Sequence, residues 1–146
     1  MLSAIVPRLP AMSPAQRSIS LLALRVVVAA LLAAHGWARL LSGGVAPFAE
    51  WLTSQGLPLG PAIAQCITWF EIGGTLLLAA GIRVPILCAM FATIYLTGIV
   101  LVHAPAGWFV VGLGRNGMEY SVLLLACLGY LAVEHRARTH QDPATR

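Results

Sequence analysis

The chain has 146 residues, of which 59% are hydrophobic and 10% charged, and its formal net charge is +4. Soluble domains carry about 25% charged residues, and so short a chain has too little interior to hide this much apolar surface. A soluble globular domain and a nucleic-acid binder are thereby excluded, because the apolar surface must face lipid and the arginines are scattered rather than clustered. The expected class is an all-α integral membrane four-helix bundle.

In chain order, residues 1–17 are interrupted by Pro7, Pro10 and Pro14 and predict a loose N-terminal segment. A crossing helix needs roughly 20 mostly apolar residues, and four stretches within one domain, 18–134, meet that demand. The first span covers 18–41, although Arg25 and His35 interrupt it. Its start mimics a signal peptide, with Arg17 and Arg25 before an apolar run and Ala33–Ala34 as small residues. The run continues to Leu40 and Leu41, however, and cleavage would leave three spans without a partner face. The segment Ser42 to Pro61 follows, with Phe48, Trp51 and Leu52 at helical spacing, and predicts an interfacial helix in the first external loop. The second span covers 61–80. A short turn, "AGIRVP", leads to the third span, 84–103, with Gly81 suited to end one helix and Pro85 to begin the next. The loop 104–117 is Gly-rich and apolar, so it is expected to dip toward the bundle. The fourth span covers 117–133, and residues 135–146 form a polar tail.

Cytoplasmic loops concentrate Lys and Arg. With both termini cytoplasmic, Arg8, Arg17, Arg83, Arg136, Arg138 and Arg146 lie inside, against Arg39 and Arg115 outside. The protein is therefore placed in the cytoplasmic membrane as a multi-pass protein, N-in and C-in. Trp37, Trp51 and Trp108 then fall near the outer interface, where such rings are favoured.

Charged side chains within lipid are costly and need partners. At about 1.5 Å per residue, Arg25 stands about 10 Å above the inner end of span one, and Glu71 about 14 Å above that of span two. An Arg25–Glu71 ion pair is the expectation. Helical phase agrees: Arg25, Leu32, Gly36 and Arg39 share one face, and Thr68, Glu71, Gly74, Thr75 and Leu78 share another. A second, outer polar layer is expected from His35, His103, Glu119, Arg115 and Asn116. Tyr95 falls near the midplane, and Tyr130, on the Glu119 face, is expected to reach the inner layer with Thr68 and Thr75. Each feature also has a plainer reading, the ion pair as glue between helices and the histidines as interfacial residues.

No two of the potential ligands sit at i, i+3 or i+4 on one helix, so no metal is expected. Cys66, Cys88 and Cys127 are isolated in separate spans and read as packing residues, which argues against dithiol chemistry. No catalytic constellation is recognised.

The order and spacing of several pieces nonetheless form a pattern. They are Arg25 followed by "HGWARL", "QGLP" at 55–58, "FEIGGTLLLAAGIRVP" at 70–85, His103 closing span three, and "NGMEYSVLLLACLG" at 116–129. Together they resemble the DoxX-like membrane proteins from about Ser18 to Val133. Arg39 stands where these proteins usually carry Lys, and "GYLAVEHRARTH" replaces their frequent Gly-rich, Ser-Asp ending. The resemblance implies a four-helix membrane bundle. It also implies a membrane subunit or accessory protein of a redox system, since founding members are linked to thiosulfate:quinone oxidoreduction and others to complexes with superoxide dismutase and a sulfur transferase. Distant kin handle vitamin K, so a quinone enters as a cofactor by analogy. Two readings stay open beside it. One is a small transporter with an Arg/Glu/His relay, which would need a homo-oligomer because four helices leave little room for a pore. The other is a purely structural scaffold. The partners implied are the lipid bilayer and a redox protein complex.

Overall fold

The computed structural model describes residues 12–141, and their side chains through residue 139. It is all-helical among these residues: α1 (Pro14–Leu41), α2 (Val45–Ser54), α3 (Gly60–Ala80), α4 (Val84–Gly98), a π-helical segment (Ile99–His103), α5 (Ala104–Ala106) and α6 (Glu119–Gln141). Helix α1 packs on α3 and α6, and α4 packs on α6 and α3. The four long helices enclose one core that includes Val28, Leu32, Leu78, Phe91, Leu124 and Leu128. Three helical stretches, Pro14–Leu41, Gly60–Ala80 and Val84–Ala106, are long and apolar enough to cross a membrane. Their outward positions carry exposed large apolar side chains such as Val27, Leu31, Leu76, Met90 and Val100. Water would make that surface unfavourable, and lipid makes it neutral.

The helix ends differ from the expected span ends. Helix α1 begins at Pro14, because Ser13 and Gln16 close a reciprocal capping box. Each side chain there satisfies the other's backbone N–H. Residues 13–17 are thus structured, and the rest of the expected loose segment lies outside the described residues. At the other end, α6 starts at Glu119 and continues to Gln141, so most of the expected polar tail is helical.

The α3–α4 turn follows the expected logic. Gly81 has φ 80°, its N–H donates to Leu78 O at 3.0 Å, and Ile82 N–H donates to Leu77 O at 3.0 Å. That is a Schellman closure, and the left-handed backbone position favours glycine. Arg83 takes the next left-handed position, with φ 51°.

The expected amphipathic helix after the first span forms as α2, with Ala49 and Leu52 buried against Ala64 of α3. Gly60 begins α3 tight against α2: a Cβ there would lie 2.3 Å from Thr53 Oγ1 and 2.5 Å from Ala49 O.

Past Gly98 the hydrogen-bonding widens, with Ala104 N–H donating back to Ile99 O. Pro105 supplies the reason. It has no N–H for the carbonyl four residues earlier, and its ring crowds that carbonyl. The loop 107–118 does not dip into the bundle as expected. Its backbone groups bond one another, Gly117 N to Phe109 O at 3.1 Å, Met118 N to Gly107 O at 3.0 Å and Glu119 N to Trp108 O at 3.1 Å. With its polar backbone satisfied locally, the loop needs no cover from the bundle, and Val111 and Leu113 point outward.

Gly117 holds this loop closed, since a Cβ would stand 2.3 Å from Trp108 O and 2.5 Å from Phe109 O. Gly117→Ala is expected to open the loop at a cost of about 1–3 kcal/mol. Faster protease cleavage between residues 107 and 118 would report it, and unchanged cleavage would contradict it.

Candidate functional site

The residues expected on the facing sides of α1 and α3, Leu32, Gly36, Thr68, Glu71, Gly74, Thr75 and Leu78, are all buried, and Ile72, expected on the opposite face, is buried against Gly36 as well. The charges pair differently from the expectation. The Glu71 carboxylate accepts from Arg39, not Arg25, at 2.7 Å from Nη1 to Oε2. The same Arg39 nitrogen donates to Thr68 Oγ1 at 3.2 Å, and Thr68 donates in turn to Ala64 O at 2.7 Å. The Arg39 guanidinium also lies 4.3 Å from the Phe48 ring centroid, and Phe48 stacks on Trp51. Helix α2 thus roofs the pair. The aromatic face adds cation–π attraction to a charge removed from water.

Arg25 instead donates from Nε to Ala79 O at 3.2 Å. It caps the C-terminal end of α3, where a cation meets orphan carbonyls and the negative end of the helix dipole. The cause of the mismatch is vertical offset. Arg25 is level with the last turn of α3, so α1 extends beyond α3 by more than two turns at that end. The expectation had set the two helix ends level. Gly36 fixes the offset by letting α1 approach Glu71 closely.

Beside the ion pair, α1, α2, α3, α4 and the π-helical segment line a half-open cavity of about 430 Å³. Ligand pockets typically measure about 300–1,000 Å³, with apolar walls and a few placed polar groups. Its walls are mostly apolar, including Leu52, Ile63, Ile67, Ile94 and Leu101. Its polar groups are Arg39, Glu71, Tyr95, His35 and His103, joined by Thr93 and Thr97.

Tyr95 is 9% exposed, and its hydroxyl is buried without a hydrogen-bond partner among the described residues. Buried hydroxyls are nearly always satisfied, and an orphan one costs about 1–3 kcal/mol. The His35 ring stands edge-on to Tyr95, with centroids 5.9 Å apart, and lies 6.5 Å from the Tyr120 ring. His103 Nδ1 is 2.8 Å from Asn116 O. A carbonyl only accepts, so Nδ1 carries the proton and Nε2 of the neutral ring is left as an acceptor.

The expected outer layer is only partly assembled. His35 and His103 share the cavity, but Glu119, Arg115 and the Asn116 side chain do not line it. Glu119 Oε1 accepts from Val110 N–H at 3.0 Å and so ties the loop to the first turn of α6. That position also suits a carboxylate, since helix N-termini favour negative charge. Asn116 contributes its backbone at φ 62°, a left-handed position that asparagine tolerates. Tyr130 does not reach an inner layer: it is 49% exposed on the outer face of α6. Thr75 turns its hydroxyl onto its own helix, donating to Glu71 O at 2.7 Å. With Leu32 and Leu78 both fully buried beside it, an apolar layer separates Arg25 from Glu71.

Phe48, Trp51, Thr93 and Thr97 were absent from the expected site. The first two were visible only as the apolar face of α2. The threonines gave no signal, since each donates to a carbonyl of its own helix. Cys66, Cys88 and Cys127 are all free thiols.

A family model described as DoxX matches residues 20–104, from α1 through the π-helical segment. No curated protein and no solved structure matches the chain.

Proposed function

The chain belongs to the DoxX family of membrane proteins, and from that premise we propose that it binds a quinone in the cavity under α2, as a membrane subunit of a redox system. The observation that carries this reading is a mostly apolar cavity lined by Tyr95 together with His35, His103, Arg39 and Glu71, the Tyr95 hydroxyl being buried and unpartnered among the described residues. A quinone offers carbonyl acceptors on an apolar ring. One carbonyl would take the Tyr95 proton donor, and the ring would fill the space between Ile67, Ile94 and Leu101. The reduced form instead offers hydroxyl donors, and the His103 Nε2 and Glu71 carboxylate stand at the same cavity to accept them. In this reading the electrons reach the quinone from a partner protein of the same redox system.

In this reading α6 is the fourth crossing, with its last turns outside the hydrocarbon. The end of the bundle that gathers Arg17, Arg25 and Arg138 faces the cytoplasm, as the arginine bias favours. The transporter alternative loses support from the apolar layer between Arg25 and Glu71.

Trp51 lines the cavity and supplies a probe. With Trp37, Trp69 and Trp108 replaced by Phe so that Trp51 alone reports, titration in nanodiscs with a short-chain benzoquinone is expected to quench the fluorescence saturably. Tyr95→Phe should weaken binding by roughly tenfold, the worth of one hydrogen bond. The same variant should be at least as stable as the parent without ligand, because it deletes an unsatisfied buried hydroxyl. Non-saturable quenching, or equal affinity in Tyr95→Phe, would reject the reading.

A further inference from the structure

The opposite end of the bundle holds a second, different cavity of about 240 Å³. Its apolar walls are Leu21, Leu22, Val84 and Leu131, and its polar groups are Ser18, Arg25, Glu134, His135 and Arg138. Glu134 is the one acid there, and it is already neutralised: Arg17 Nη2 lies 2.5 and 2.6 Å from its two oxygens. Arg25 and Arg138 therefore remain as two cations without a carboxylate among the described residues.

Both guanidinium groups are held in place with donors to spare. Arg25 uses Nε on Ala79 O, and its Nη groups have no acceptor among the described residues. They lie over Gly81, where a Cβ would come within 2.8 Å of Nη1. Arg138 is oriented by donating from Nη1 to Ser18 Oγ at 3.0 Å. His135 feels the field of both: its ring is held below the usual imidazole range by burial first and then by Arg25 and Arg138.

The level of this cavity matters as much as its charge. It lies at the α3–α4 turn, where the chain leaves the hydrocarbon, while α1 and α6 continue past it. A half-buried, doubly cationic recess with apolar walls at that depth matches a phosphate joined to acyl chains. Basic pockets between membrane helices at the headgroup level bind anionic lipid headgroups, and arginine suits phosphate through its planar fork of donors.

We propose that Arg25 and Arg138, the latter held in place by Ser18, form a site for the phosphate headgroup of an anionic phospholipid, its acyl chains lying against Leu21, Leu22 and Leu131. The ligand chemistry is a phosphate anion, and the lipid is its source.

The test reconstitutes the full chain in nanodiscs of phosphatidylcholine mixed with phosphatidylglycerol, then measures lipid retained on the protein by native mass spectrometry. Wild type is expected to retain phosphatidylglycerol over phosphatidylcholine with a preference on the order of tenfold. Arg25→Gln combined with Arg138→Gln should abolish that preference. Arg138→Glu alone leaves the α3 cap in place, so it tests the site even if the double variant fails to fold, and it should also lose the preference. Wild type without any preference, or Arg138→Glu retaining the full preference, overturns the proposal. Inorganic phosphate at matched concentration should not displace phosphatidylglycerol; full displacement would overturn the lipid assignment.

Discussion

Arg39→Met is expected to destabilise the protein by about 3 kcal/mol, and adding Glu71→Gln to it should recover most of that loss. The single change leaves a carboxylate that is 3% exposed without its counter-charge. Removing one partner of a buried pair is far costlier than removing both, because the survivor keeps its desolvation penalty and loses its compensation. Thr68 cannot substitute, since its hydroxyl already donates to Ala64 O. Thermal or chemical unfolding of the two single variants and the double variant in one lipid or detergent closes a double-mutant cycle. A coupling near zero would mean that Arg39 and Glu71 act independently. The corresponding cycle between Arg25 and Glu71 is expected to be additive, because the two are separated by the buried Leu32 and Leu78.

The second large effect belongs to Gly36. A Cβ there would lie 2.9 Å from Glu71 Cβ, 3.0 Å from Ile72 Cγ1 and 3.0 Å from Thr68 O. Two of these are fixed close to the α3 backbone, so α1 itself must move outward. Gly36→Ala is expected to cost about 1–3 kcal/mol, and Gly36→Leu more. Separation of α1 from α3 also draws Arg39 away from Glu71 and deforms the cavity, so benzoquinone quenching of Trp51 should weaken with it. Small residues at helix crossings let membrane helices approach closely, and packing then replaces the hydrophobic effect as the source of adhesion. Gly73 supplies the control. Nothing lies within 4 Å of a Cβ at that position, so Gly73→Ala should be neutral or gain up to about 1 kcal/mol from helix propensity. Equal behaviour of Gly36→Ala and Gly73→Ala in unfolding would refute the close-approach argument.

The partner of Glu71 is set by Gly36 and not by helical phase. Arg25 and Arg39 occupy the same face of α1, so phase alone does not choose between them, and Arg39 was expected outside the bilayer. The choice between them depends on axial offset, and a helix carries no mark of where along its length a neighbour will touch it. The offset follows from the contact at Gly36, which is a pairwise property of two surfaces. The outer layer failed for a related reason. Asn116 meets His103 through its main chain, and the Glu119 carboxylate is engaged by the loop at Val110 N–H.

Much else was decided by the amino-acid order alone. The apolar runs required lipid, the 3.6-residue period chose which faces of α1 and α3 would be buried, and Gly81 and Pro85 marked the turn between α3 and α4. Such features depend on a residue and its near neighbours in the chain, so they are legible without a fold. Which arginine neutralises Glu71, the roofing of that pair by Phe48 and Trp51, the unsatisfied Tyr95 hydroxyl and the gathering of Arg25 with Arg138 were decided by tertiary structure. Each depends on the distance between groups on different helices, and that distance is set by packing rather than by any local preference of the chain.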